Sequence, residues 1–356
     1  MEDQLQRYSR HDIRLLTLPG RHWKWRMHGA AVTLAHEFLS IDYQPDLIIA
    51  TDMIDLSTFI ALARKKIGDT PVVLFFHENQ LTYPWSTTDP DTKLNRDRTY
   101  AWINYTSSLA ADKILFNSRY HMQSFIQAIP DFLYAFPDYR NHDTVDDIAA
   151  KSEVQHIGIE LEQFYNEKKK ANAVPILLWN HRWEYDKCPE VFFECLYRLS
   201  NEGCQFQLIV CGESYKKYPT IFDEAKDKLS AHIIHFGYAK NKERYINLVQ
   251  SADLLPVTNN QDFFGISIVE AIAAGVMPLM PRRLSYPEHI DPTEHPECFY
   301  NDHEDLYQKL KVMIQDWSNP LPSLADQVKC YDWSNIIDQY DDSFTEIANS
   351  TTTSNK

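Results

Sequence analysis

Residues 175–190 read PILLWNHRWEYDKCPE: an apolar run, Pro175 to Trp179, breaks into a loop carrying Arg182, Trp183 and Lys187. A run of this length reads as a buried strand, and in α/β proteins ligands meet the sheet where its strands end. The cations sit five residues apart beside two tryptophans, in a chain whose formal net charge is −15. If the loop turns, the forked Arg182 guanidinium and the compact Lys187 ammonium converge on one point, as a diphosphate requires. The competing reading is a solvated pair balanced by Glu184, Asp186 and Glu190.

Outward from this stretch, short apolar runs alternate with helix-sized segments. Before it come IRLLTL (13–18), DLIIA (46–50), VVLFF (72–76), KILF (113–116) and VQHI (154–157). After it come FQLIVC (206–211), HIIHF (232–236), DLLPV (253–257) and VMPLM (276–280). The spacing predicts βαβ units, hence an α/β protein with two doubly wound, Rossmann-like parallel sheets facing a central cleft. The Lys-rich NEKKKANA (166–173) divides the two sets and sets the expected boundary, with domains at 1–165 and 166–332. WSNIIDQYDDSFTEI places a terminal helix over 333–348 that can cross back to the first domain. The polar NSTTTSNK (349–356) reads as a disordered tail.

Composition bounds the chemistry. The 356 residues are 44% hydrophobic and 24% charged, ordinary for a globular protein. The longest apolar runs hold five to seven residues, too short for a membrane span, and the charged N-terminus does not read as a signal peptide. A cytoplasmic chain without membrane partners is expected. The six cysteines (188, 195, 204, 211, 298 and 330) include no CxxC pair, with no metal site implied; four of them recur every seven to nine residues, which suits buried free thiols better than a disulfide framework. The acidic balance argues against nonspecific nucleic-acid binding. It leaves room for a local patch, and RHWKWRMH (21–28) supplies one: Arg21, Lys24 and Arg26 interleaved with Trp23 and Trp25 suit phosphate contacts plus base stacking. The plainer alternative is a solvated edge with both tryptophans turned inward.

Two further constellations fall at expected strand ends. In FFHENQLTYP (75–84), His77, Glu78, Asn79 and Gln80 follow VVLFF directly. They read either as substrate-contacting groups or as a capping turn. In NNQDFFGISIVEAIAAG (259–275), Gly265 opens an apolar helix whose free amides attract phosphate or a sugar oxygen. Asp262 lies before that helix and Glu270 inside it, where vicinal ribose hydroxyls would satisfy a carboxylate in apolar surroundings.

Taken together, these residues resemble the retaining GT-B glycosyltransferases of the glycogen-synthase-like class. That class carries an Arg with a Lys five positions on after the first strand of its C-terminal domain, and an E-x7-E motif opening a helix. Arg182 and Lys187 match the first pattern. Asp262 and Glu270 match the second, with Asp in place of the first Glu. LTLPGRHWKWRMHGAA, FFHENQLTYP, FNSRYHMQSF and WNHRWEYDKCPEVFF narrow the resemblance to the tRNA-queuosine α-mannosyltransferase family, over roughly residues 1 to 340.

The resemblance implies transfer of mannose from GDP-mannose, with retention, to the cyclopentene-diol of queuosine in the anticodon of tRNA-Asp. It implies a nucleotide sugar and a queuosine-containing tRNA as partners, no cofactor and no catalytic metal. By carry-over Arg182 and Lys187 hold the donor diphosphate and Glu270 the ribose. Asp262 and the amides of Phe263, Phe264, Gly265 and Ile266 face the transferred sugar, and His77 lies near it. Glu78, Asn79 and Gln80 fall to the acceptor, with Arg21, Trp23, Lys24, Trp25 and Arg26. Relative to the family, the first strand and its Gly/Ser-His loop are expected to be missing. Two other readings stay open: a GT-B enzyme using another nucleotide sugar on a glycan, lipid or small molecule, and an inactive nucleotide-sugar- or RNA-binding protein.

Overall fold

The structure, a computed structural model, describes residues 2–86, 89–94, 97–166, 169, 172–214, 218–317 and 322–353. The chain forms two compact units, residues 1–158 with 336–356 and residues 159–335.

The first unit holds α1 (Trp23–Ser40), β1 (Ile48–Thr51), α2 (Leu56–Ile67), β2 (Val72–Phe76), α3 (Asp97–Ala110), β3 (Lys113–Phe116), α4 (Arg119–Tyr134) and β4 (Ser152–Val154). Its sheet runs β1-β2-β3-β4, all parallel. VVLFF is buried at every position, as a central strand with both faces covered must be. Ring stacking continues that core: Phe76 lies 4.8 Å from Phe116 at an interplanar angle of 2°. One expected strand does not form. Residues 13–18 are irregular; Leu16 and Leu18 pack against the core, so this apolar run reports burial and not ladder pairing.

The second unit holds β5 (Ile176–Trp179), α5 (Pro189–Asn201), β6 (Gln207–Val210), β7 (Ile233–Phe236), α6 (Lys242–Ser251), β8 (Leu254–Pro256), α7 (Ile266–Ala273), β9 (Met277–Pro281) and β10 (Phe299–Tyr300). The order is β10-β9-β8-β5-β6-β7, again all parallel. From β5 the chain builds outward through β6 and β7, then returns to lay β8, β9 and β10 on the other side. The reversal falls between β5 and β8, the point at which doubly wound sheets bind ligands. Pro278 sits inside β9 without breaking it, because β10 pairs only with Met280 and Pro281.

Two expected limits move. The division lies at 158/159, not 165/166, because the segment after it already packs into the second unit. Phe164 stacks edge-on against Tyr245, and Asp332 accepts the amides of Leu161 and Glu162. Within the Lys-rich stretch, Lys169 is no solvated linker residue. Its ammonium donates to the carbonyls of Ala252 and Gly275, and burial pulls its pKa down to about 8; residues 167–168 and 170–171 lie outside the described set. At the far end, α8 (Trp333–Thr353) continues through most of the expected tail, and 354–356 lie outside the described residues.

Candidate functional site

The loop after β5 is built on aromatic packing. Trp179 is fully buried among Phe192, Phe193 and Phe222, and its indole N–H donates to the His181 carbonyl at 3.1 Å. Trp183 stacks on Phe222 at 4.2 Å and 3°, and its amide donates to Glu213 O at 2.9 Å. Both tryptophans therefore anchor the loop from beneath. Gly212 lets the β6 loop close against it: a Cβ there, at φ +143°, would stand 2.0 Å from the His181 carbonyl oxygen.

The two cations end in different surroundings. The Arg182 side chain is 46% exposed, with a guanidinium nitrogen 3.4 Å from Glu184. Lys187 is buried. Its ammonium donates to Gln261 O at 2.7 Å and Asp262 Oδ1 at 2.8 Å, and lies 3.1 Å from Asp186 Oδ2. Burial alone would lower the Lys187 pKa, but Asp262 and Asp186 hold it above its ordinary value. Asp262 is equally engaged: Asn259 donates to Oδ2 at 2.6 Å and the Tyr286 hydroxyl at 2.7 Å. Burial would raise this carboxyl, yet Lys187 and His181, with the hydrogen bonds from Lys187 and Tyr286, bring it below its usual range. The shorter aspartate thus docks onto the lysine in a closed network.

After β8, Phe263 and Phe264 turn their rings inward, so their backbone is what remains for a ligand. The Phe264 carbonyl is fixed by the Ser285 hydroxyl at 2.7 Å and lies 2.6 Å from His289 Nε2. Gly265 stands before α7 at φ +91° with no side-chain cap, so the first-turn amides of α7 have no capping side chain. Ile266 is exposed there. One turn in, Glu270 accepts from the Tyr245 hydroxyl at 2.7 Å; burial, opposed by that bond and by Lys242, raises its pKa to about 7.

In the first unit, His77 follows β2 and is held by Asp52 from the end of β1. Asp52 Oδ1 accepts the His77 amide at 2.8 Å and lies 3.5 Å from its Nδ1. Asn117 donates to the His77 carbonyl and pairs with buried His121, whose pKa burial and His77 push well below 6.5. Asn79 is fully buried, and its Oδ1 caps its own turn by accepting from the Leu81 and Thr82 amides, while its Nδ2 has no hydrogen-bond partner among the described residues. Gln80 is buried and donates to Glu78 at 3.0 Å.

The aromatic-basic patch separates as well. Trp23 meets Trp85 at 6.0 Å and Tyr100 at 5.2 Å, while Trp25 is 64% exposed. Lys24 is neutralised by Asp89 and Asp91 at 2.7 and 2.5 Å. Arg26 donates to Pro19 O at 3.3 Å, and Arg21 is exposed. What this patch offers a ligand is aromatic surface with Arg21 beside it, and not the Lys24 charge.

A family model described as tRNA-queuosine alpha-mannosyltransferase N-terminal matches residues 1–159, and one described as glycosyl transferases group 1 matches residues 162–328. The tRNA-queuosine alpha-mannosyltransferase of Drosophila melanogaster is 31% identical over an alignment of 308 residues that covers 84% of this chain and 78% of that protein. This chain belongs to the tRNA-queuosine α-mannosyltransferase family. It is a glycosyltransferase with a GT-B fold. Solved structures share that fold. Sucrose-phosphate synthase (tll1590) from Thermosynechococcus elongatus aligns with TM-score 0.67 and 15% identity over 94% of this chain and 81% of its own. Trehalose 6-phosphate synthase from Burkholderia multivorans aligns at 0.64 and 14% over 92% and 75%.

Within this family member several site neighbours escape a reading of sequence alone. Tyr286 reaches Asp262 from twenty-four residues on, and no spacing marks it; Asn259, three residues before Asp262, lay inside the quoted stretch without a role. Gly212 had a signal, a lone glycine directly after a buried strand. Asp52 had one too, a single acid following an expected strand. No described helix is long and apolar enough to cross a membrane.

Proposed function

We propose that this protein transfers mannose from GDP-mannose, with retention, to the cyclopentene-diol of queuosine in the anticodon of tRNA-Asp. The family relationship supports the sugar and the acceptor. The observation that carries the donor half is the placement of Arg182, after β5, and of the uncapped start of α7, after β8, on the two sides of the strand-order reversal.

In this reading Arg182 and the amides of Phe263, Phe264, Gly265 and Ile266 meet the diphosphate and the sugar attached to it. Lys187 joins by exchanging a carboxylate bond for a phosphate oxygen, which leaves Asp262 able to turn toward a sugar hydroxyl. Glu270 accepts from the ribose diol. Charge developing on the departing diphosphate is offset by protein cations and helix amides, without a cofactor or a catalytic metal. A donor phosphate oxygen takes the proton of the attacking hydroxyl on the leaving-group face, which gives retention. His77 orients the transferred sugar. Glu78, Asn79 and Gln80, with the Arg21–Arg26 stretch, serve the acceptor side, the side chain of Asn79 acting through its turn.

Incubating the protein with labelled GDP-mannose and either queuosine-containing or queuosine-free tRNA tests this. One hexose added to the queuosine nucleoside, seen by mass spectrometry only with the first tRNA, is the expected outcome. Transfer to both tRNAs, or to neither, defeats the proposal, as does an equal yield from another nucleotide sugar.

A further inference from the structure

Around Lys187 and Asp262, several buried polar atoms have no hydrogen-bond partner among the described residues: Asn180 Oδ1, His181 Nε2, Asn259 Oδ1 and Gln261 Nε2. Buried polar groups are nearly always paired, so such a concentration at a strand-order reversal points to a ligand. His181 is the most tightly fixed of the four. Its carbonyl accepts from Trp179 and abuts Gly212. Its ring meets Trp179 edge-on at 5.3 Å. Its Nδ1 lies 3.2 Å from the Ser267 hydroxyl in the first turn of α7, and neighbouring Asn180 donates to the Ser267 carbonyl at 2.7 Å. Two consecutive loop residues thus latch the same residue of α7, and the imidazole is held at the amino terminus of that helix with 3% of the residue exposed.

We infer that His181 is a ligand of the donor diphosphate, giving a hydrogen bond from Nε2 to a phosphate oxygen seated at the start of α7. The inference rests on the nucleotide-sugar reading above and adds a neutral donor to it. With the Ser267 hydroxyl taken as the donor to Nδ1, the ring proton sits on Nε2, the tautomer an anion requires. Burial, opposed by Asp262 and reinforced by Lys187, lowers the His181 pKa to about 4, so the ring stays neutral at physiological pH. Nε2 is closed off from solvent in this state, so the contact forms as the donor seats. A neutral donor suits the place. Arg182 already brings positive charge next door, and a second protonated group beside Lys187 would be repelled.

The test compares GDP with GMP by calorimetry, with UDP and UMP alongside, in wild type, His181→Asn and His181→Gln. An asparagine amide reproduces Nδ1 and its bond to Ser267 but lacks the Nε2 donor; a glutamine amide reaches the Nε2 position. Losing a hydrogen bond to a charged group predicts diphosphate affinity about tenfold weaker in His181→Asn. Monophosphate affinity is expected to stay unchanged, and His181→Gln to recover part of the loss. If His181→Asn does not fold, Ser267→Ala replaces it: freeing the tautomer weakens diphosphate binding selectively, by a smaller factor. Equal losses for monophosphate and diphosphate, or none for either, overturn the assignment. A wild type that binds no nucleoside diphosphate overturns the donor reading itself, and this contact with it.

Discussion

Arg182 and Lys187 are matched in sequence spacing and opposite in circumstance, and their substitutions separate accordingly. Arg182→Ala removes an accessible guanidinium, so kcat/KM is expected to fall by about 2–4 kcal/mol of transition-state stabilisation, with the melting temperature nearly unchanged. Lys187→Ala strands two buried carboxylates, Asp186 and Asp262, and the loss appears in stability, about 3–5 kcal/mol by denaturant titration. A stable, fully active Arg182→Ala removes that residue from the diphosphate. Glu270 adds a pH dependence. Its folded pKa of about 7 lies above the ordinary 4.5, so its contribution to stability is complete below 4.5 and is lost as pH rises through 7. Donor binding runs the other way, because the ribose hydroxyls donate to the ionised form. GDP-mannose, whose diphosphate diester does not titrate in this range, should bind roughly tenfold more tightly at pH 8 than at pH 6. Glu270→Gln should flatten that dependence; an unchanged slope in the variant would locate the titration elsewhere.

At the scale of elements, what could be read along the chain was local and periodic. VVLFF and PILLW are apolar at every position because both faces of a central parallel strand are covered, and the polar residues directly after them mark the carboxyl ends. The same reasoning, applied after DLLPV as well, singled out Arg182 and Asp262 as site candidates. It failed where an apolar run packs without pairing, at residues 13–18, and where tertiary contacts decide, as with Tyr286 closing on Asp262. It also credited Lys24 with a charge that Asp89 and Asp91, more than sixty residues away, neutralise. The loop-on-loop contact at Gly212 belongs to this scale. Gly212→Ala forces a side chain into a positive-φ position and against the His181 carbonyl. Conformational strain alone costs about 1–3 kcal/mol. The β5 loop should shift with it, so lower stability is expected together with weaker nucleotide binding. A variant with wild-type melting and affinity would mean that this close approach does not position the loop.

At the scale of the molecule, the first unit is assembled from both ends of the chain. Tyr340 stacks on Phe75 and its hydroxyl donates to His156 O, so α8 helps cover the first sheet. The opening segment then clamps this helix. Buried Asp341 accepts the Ser9 hydroxyl at 2.5 Å and the Arg10 amide at 2.9 Å, while Arg10 reaches exposed Asp342 at 2.6 Å. The surface pair is open to water and contributes little, whereas buried Asp341 ties two segments more than three hundred residues apart with two part-buried bonds. Asp341→Ala leaves their donors unpaired and should destabilise the protein by about 1–3 kcal/mol, against a near-neutral Asp342→Ala. Apart from His77, the groups assigned to the donor lie in the other unit, so GDP-mannose affinity measured well below the melting transition should be the same in both variants. Equal melting temperatures for the two would show that the clamp does not hold the ends of the chain together. A loss of donor affinity in Asp341→Ala would show that the second unit depends on a tie it does not contain.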